Sequence, residues 1–166
     1  GYCRNVLAGA SSHFSTAERQ FRLPLEHGNQ RDLTAQWTAT ASGAVVISSE
    51  RKSHICLTHA TIGRIVDPGI TDSNCMGAAM APAAFDTIRN HLEDLGRTPK
   101  DYDLILTGDL GNVGRRILVD FSEQGSKLPE LKSVYDDCGS MIFDTSKQDV
   151  HSGGSGCGCS GSIIAG

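Results

Sequence analysis

The glycine-rich stretch His151-Ser-Gly-Gly-Ser-Gly-Cys-Gly-Cys-Ser-Gly161 constrains the fold more than any other part of the chain. It follows a β-like segment and leads into Ser162-Ile163-Ile164-Ala165, so it reads as a strand, a tight turn and the first turn of a helix. Glycine permits backbone paths and close approaches that a side chain blocks. A lone helical turn is unstable in water, so the chain is expected to be a segment of a larger fold. The other end agrees: Tyr2 to Ala8 reads as a core strand from its first residues. Such a segment is expected to expose apolar faces and to be poorly soluble or dimeric by itself.

At 166 residues the chain can bury one core. It has no apolar run of about 18 residues or more, so no membrane-spanning helix is expected. A net charge of −4 argues against bulk nucleic-acid binding. Its six Cys are scattered through long helix and strand patterns rather than set in a short loop-rich framework. Cys3 and Cys56 lie in strand-like segments and read as small buried hydrophobes, which favours a reducing compartment.

Cys3–Ala10 reads as a buried strand, and Ser11–Asp32 as an irregular polar loop broken by Pro24 and Gly28. Ala44-Val-Val-Ile47 is a second buried strand. His54–Val66 alternates apolar and polar positions and predicts a third. Met76–Leu95 is the clearest helix, with Met80, Ala84, Ile88, Leu92 and Leu95 on one stripe and Gly96 placed to stop it. Asp103–Thr107 predicts a strand that turns through Gly108-Asp109-Leu110-Gly111. Val113–Glu123 predicts a helix with Val113, Ile117, Leu118 and Phe121 on its apolar face. Gly125–Asp136 reads as a loop and Cys138–Phe143 as a short strand. Alternating helices and strands predict an α/β layered fold. Ligands in such folds sit at the carboxyl ends of strands, which makes the loops after Ala10, Thr107 and His151 the candidate sites.

Five motifs carry a family resemblance: Ser11-Ser-His-Phe-Ser-Thr-Ala-Glu-Arg-Gln-Phe-Arg22, Thr71-Asp-Ser, Met76-Gly-Ala-Ala-Met-Ala-Pro-Ala-Ala84, Asp101-Tyr-Asp-Leu-Ile-Leu-Thr-Gly-Asp-Leu110 and Gly153-Gly-Ser-Gly-Cys-Gly-Cys-Ser160. In this order they resemble the stage V sporulation protein AD family, over nearly the whole chain. The resemblance implies a thiolase-like fold of two pseudo-symmetric βαβαβ halves in five layers, here incomplete. Residues 1–70 would end the first half, with a long polar loop at 11–36. Residues 71–166 would form most of the second half, without its final helix and hairpins. It implies a non-catalytic protein that binds dipicolinic acid (pyridine-2,6-dicarboxylate), with or without calcium. That protein would be a soluble subunit of the spore's dipicolinate uptake complex, peripheral on the inner spore membrane. Its implied partners are the membrane subunits and a second copy in a homodimer; no cofactor and no nucleic acid are implied.

The loop after the strand at 103–107 bears on activity. In the similar β-ketoacyl synthases of the elongation-initiating type it supplies a catalytic His; here it carries Asp109. A carboxylate cannot donate the hydrogen bond that stabilises a thioester enolate and repels the developing charge. Two alternatives remain open: an active acyl-transfer enzyme with a nucleophilic Cys upstream of this segment, and a structural scaffold for membrane partners.

The candidate ligand-binding residues are His13, Arg19, Arg22, Asp109, Gly154, Ser155 and Cys157. His13, Arg19 and Arg22 would supply an imidazole and guanidinium forks for a dianionic ligand; alternatively Glu18 and Arg22 form a surface pair at i, i+4. The amides of the Gly153–Ser160 turn could cradle a carboxylate at a helix N-terminus, or the glycines could serve only a close strand–helix crossing. Asp109 could line the pocket, hold a cation that bridges to the ligand, or cap the helix beginning near Asn112. Cys157 could be a reactive thiol at the helix N-terminus or a packing residue. The Cys157-x-Cys159 spacing, with Cys138 and His151, is a weak metal signature.

Overall fold

The structure, a computed structural model, describes residues 3–14, 32–50, 53–124 and 128–166. The chain is a mixed α/β protein. Its strands are β1 (Asn5–Ser12), β2 (Trp37–Thr38), β3 (Ala41–Ser48), β4 (Ile105–Thr107), β5 (Tyr135–Asp137) and β6 (Gly154–Ser155). Its helices are α1 (Met76–Leu95), α2 (Gly111–Gln124), the short α3 (Cys138–Met141) and α4 (Cys157–Ala165). The strands pair two by two: β1 with β3 antiparallel, β2 with β6 parallel, and β4 with β5 parallel. Among the described residues no helix is long and apolar enough to cross a membrane.

Helix α1 has the bounds the apolar stripe predicts. Gly96 ends it at φ 61°. The Gly96 amide bonds Glu93 O at 3.1 Å and the Arg97 amide bonds Leu92 O at 2.9 Å, the pair of reversals that satisfies the last carbonyls. One core forms where α1 and α2 pack together over β4 and β5: Ala81, Leu110, Leu118, Leu131 and Tyr135 are buried there, flanked by Met80, Phe85 and Ile88. The buried row of α2 is Gly111, Gly114, Leu118 and Ser122, displaced from the expected Val113–Phe121 face, and Phe121 stays 41% exposed. The reason is the crossing point. A Cβ on Gly114 would lie 2.8 Å from Gly77 Cα, so two glycines let α1 and α2 approach more closely than an apolar stripe would.

A second core joins Ala39, Cys138 and Cys159, with Ala41, Leu106, Ile142, Phe143 and Ile163 around it. Here α4 lies across β1 and β3. The opposite face of that ladder is open: Leu7 and Val46, register partners, are 72% and 70% exposed.

Five expectations are corrected. The strands expected to be buried at Cys3–Ala10 and Ala44–Ile47 form, but Val6, Leu7, Val45, Val46 and Ile47 are 40–72% exposed, because α4 covers only part of one face of their ladder. The predicted strand over 54–66 is irregular, with no ladder partner among the described residues, and Ile55, Leu57, Ile62 and Ile65 are 83–97% exposed. It is tethered by side chains instead. Arg64 forms a two-pronged pair with Asp86 at 2.8 Å per contact, and Thr61 bonds His91 Nδ1 at 2.7 Å. Alternation predicts a strand only where a partner edge is at hand. Cys3 and Cys56 are exposed, not buried. Cys138 opens a helix rather than a strand, because the Asp137 carboxylate accepts the Gly139 amide at 2.9 Å and caps it. The expected loop before it holds a 3-10 turn at Pro129–Ser133 and then β5.

Candidate functional site

Hydrogen bonds tie the carboxyl ends of β1 and β2 to the N-terminus of α4, and the loop after β4 to the amino ends of β2 and β6. Ser12, the last residue of β1, donates its hydroxyl to Ala39 O at 2.6 Å and accepts the Gly158 amide at 3.0 Å. Strand β2 pairs Trp37 with Gly154 and Thr38 with Ser155. The Gln36 amide nitrogen donates to Asp109 O and to Gly154 O, both at 2.8 Å. That one side chain joins the loop after β4 to the glycine-rich turn.

Asp109 does not cap α2. The amides of Leu110 and Gly111 are held by the Asp137 carboxylate at 3.1 and 2.7 Å. Those of Asn112 and Val113 bond the carbonyl and hydroxyl of Ser152 at 2.7 and 3.1 Å. Asp109 instead adopts a left-handed backbone, φ 64°, and its Oδ1 is enclosed with no hydrogen-bond partner among the described residues. Asp137 is fully buried and also accepts Thr107 Oγ1 at 2.8 Å, so one carboxylate locks β4, β5, α2 and α3. Burial pushes the Asp137 carboxyl up from its usual range, against these hydrogen bonds.

Gly154 and Ser155 lie buried in β6, and the carbonyls of Gly153 and Ser155 accept the amides of Trp37 and Ala39 at 2.8 and 2.9 Å. The turn's glycines are needed for contact. A Cβ on Gly158 would meet Ala41 O and the Ser12 amide, and one on Gly43 would meet the Gly161 backbone. Two early amides of α4 are already engaged, Gly158 by Ser12 and Cys159 by Gly156 O at 2.9 Å. Cys157, the first residue of α4, is exposed.

His13 lies just past β1, with Nδ1 3.5 Å from Thr40 Oγ1, too long for a strong hydrogen bond. Beside it Phe14 stacks on Trp37, centroids 4.7 Å apart. His13 thus lies beside Thr40, Gly154 and Ser155 form β6, Cys157 opens α4, and Asp109 is joined to Gly154 through Gln36. Arg19 and Arg22 lie outside the described residues.

Two of the three buried thiols, Cys138 and Cys159, are poor nucleophiles. Burial, reinforced by Asp109, pushes Cys159 up to about 12, and burial with the nearby Asp137 raises Cys138; only a thiolate attacks or binds metal well. His151 spends Nδ1 on Asp32 O at 2.7 Å and Nε2 on Asp149 at 3.1 Å. Among the described residues no three His, Cys, Asp or Glu side chains converge to hold a metal ion. A shallow groove of about 500 Å³ is lined by Arg64, Val66, Met80, Thr107, Gly108 and Leu110.

Sequence reasoning missed Gln36, Ser12, Asp137 and Ser152. Only Asp137 left a signal, an acidic residue two positions before a glycine, the pattern of an N-cap. The other three act across 27 to 146 positions, distances over which a linear pattern carries no information.

Known proteins agree with the resemblance. The family model for stage V sporulation protein AD matches residues 1–166. The stage V sporulation protein AD of Bacillus subtilis (strain 168) is 52% identical over 160 residues, which cover 96% of this chain and 46% of that protein. The chain thus spans about half the length of the curated relative it matches. With a family model matched along its whole length, the chain belongs to the stage V sporulation protein AD family.

Proposed function

We propose that this chain forms part of a non-catalytic protein that binds pyridine-2,6-dicarboxylate during sporulation, within a thiolase-like layered fold. It serves as the soluble subunit of the spore's dipicolinate uptake complex, associates with that complex's membrane subunits at the inner spore membrane, and pairs with a second copy of itself. Family membership supports a role in the forespore or spore. The observation that carries the non-catalytic reading is the chemistry at the end of β4. A carboxylate, Asp109, stands where the similar condensing enzymes place an imidazole, and the buried thiols nearby, Cys138 and Cys159, are held neutral. An enolate forming there would meet negative charge and no donor. His13 and the neighbouring stacked pair Phe14–Trp37 offer an imidazole and an aromatic platform to a planar acid.

Calorimetric titration of pyridine-2,6-dicarboxylate, with and without calcium and with acetyl-CoA in parallel, tests this. Saturable dicarboxylate binding that weakens in Asp109→Ala or Arg19→Ala, without an acetyl-CoA signal, is the expected result. Acetyl-CoA binding or turnover with no dicarboxylate heat would overturn it in favour of an acyl-transfer enzyme. Silence from both ligands, with membrane-complex assembly lost on altering residues 11–31, would favour a scaffold.

A further inference from the structure

We propose that Gln36 is a positioning residue that fixes Asp109 and the glycine-rich turn in one geometry, leaving the Asp109 carboxylate as an acceptor for a donor that bridges it to the ligand. The ligand side of this inference rests on the binding reading above; the positioning side does not.

Three observations converge on it. Asp109 holds a left-handed backbone at φ 64°, which costs a non-glycine residue about 1 kcal/mol or more. Its Oδ1 is enclosed yet unpartnered among the described residues, an arrangement a folded protein rarely leaves without a use. The strain is held from both sides: Gln36 grips the Asp109 carbonyl, and Asp137 grips the two amides that follow. With Asp137 occupying the cap of α2, the Asp109 carboxylate has no local amide to turn to. The second Gln36 hydrogen bond, to Gly154 O, carries the same constraint into the turn that contains Cys157. The slot for the amide exists because Gly111 has no side chain; a Cβ there would lie 2.7 Å from Gln36 Nε2.

A carboxylate acts only as an acceptor, so a dianionic dicarboxylate meets Asp109 through a bridging donor such as an ordered water rather than directly. Gln36 touches none of the ligand; it acts through Asp109.

The test is a double-mutant cycle with pyridine-2,6-dicarboxylate as the probe, paired with amide NMR of the unliganded protein. Gln36→Met keeps the side chain's length and removes both donors. Affinity should fall about tenfold in the wild-type background and by less than about twofold in an Asp109→Asn background. Equal losses in both backgrounds would overturn the proposal. Without ligand, the Asp109 and Gly154 amide resonances should shift in Gln36→Met while those of Ile105 and Tyr135 stay in place. Unmoved Asp109 and Gly154 resonances would overturn it as well. If Gln36→Met does not fold, Gln36→Glu replaces it. That variant sets a carboxylate against the two carbonyls at neutral pH and regains an O–H donor below about pH 4. Its Gly154 resonance should return toward the wild-type position at the same acidic pH; a pH-independent difference would count against positioning. Should the wild-type protein give no dicarboxylate heat, the binding reading fails, and the NMR arm alone decides the role of Gln36.

Discussion

Ser12 and Gly158, 146 positions apart, are joined by a hydrogen bond of 3.0 Å from the Gly158 amide to the Ser12 hydroxyl. The last residue of β1 thus caps the N-terminus of α4, since the helix's own N-cap, Gly156, has no side chain to do so. The same hydroxyl donates to Ala39 O, which closes β1, β2 and α4 into one unit. Ser12→Ala removes the acceptor for one buried amide and the donor for one carbonyl. A loss of about 1–2 kcal/mol is expected, read as a lower urea midpoint at unchanged m-value.

Close packing at that crossing sets a second expectation. In an exposed helix, Gly→Ala would add up to about 1 kcal/mol of stability through helix propensity. At Gly158 the new methyl would lie 2.6 Å from the Ser12 amide and against Ala41 O, both backbone atoms of a paired ladder that cannot yield. Overpacking of this kind costs about 1–3 kcal/mol or more, so Gly158→Ala should be destabilising on balance. Thermal melting of this variant beside Gly43→Ala, which meets the Gly161 backbone from the other side, measures the cost on both faces of the same contact.

Thiol chemistry should divide the six cysteines into two sets. Cys3, Cys56 and Cys157 are exposed; Cys75, Cys138 and Cys159 are buried. For Cys159 the rise from 9.0 to about 12 lowers the thiolate fraction at neutral pH by about a thousandfold, before any loss of access. Alkylation followed by peptide mass spectrometry should label the exposed set within minutes and leave Cys159 unmodified until the protein is denatured. Rapid native labelling of Cys159 would contradict the neutral-thiol site.

Acid should loosen the tether between the 54–66 segment and α1. Hydrogen bonding to Arg64 and the charges of Arg64 and Arg89 hold the Asp86 carboxyl below its usual range. A carboxyl with a lowered folded-state value stabilises the fold fully above its unfolded value, near pH 4. That stabilisation is lost as pH falls through the folded value. Wild-type stability should therefore decline more steeply below about pH 4 than that of Asp86→Asn, which has no charge to lose. Urea unfolding across that range shows whether the two curves converge in acid.

Local chemistry made part of this architecture legible in the sequence. Helix α1 was readable because its apolar stripe and Gly96 stop are both local signals. The strand–turn–helix at β6 and α4 was readable only in kind: no strand leads into His151 among the described residues, β6 lies within the glycines at Gly154–Ser155, and α4 already begins at Cys157. The site was only partly so. His13, Asp109, Gly154, Ser155 and Cys157 could be picked out as chemistry-bearing residues at element ends. The cap role offered for Asp109 went to Asp137, which comes from β5 and is 26 positions from the Gly111 amide it holds.

The sequence by itself determined the family, the α/β class and the bounds of α1, because each is written in contiguous motifs or in a 3.6-residue period. Tertiary structure alone decided that 54–66 forms no ladder, that Cys138 opens a helix, and that Gln36 ties Asp109 to the glycine-rich turn. Those outcomes depend on which groups meet in space: a partner edge for a strand, a carboxylate for a helix end, an amide for two distant carbonyls. A buried polar group must find its partner wherever the fold places one.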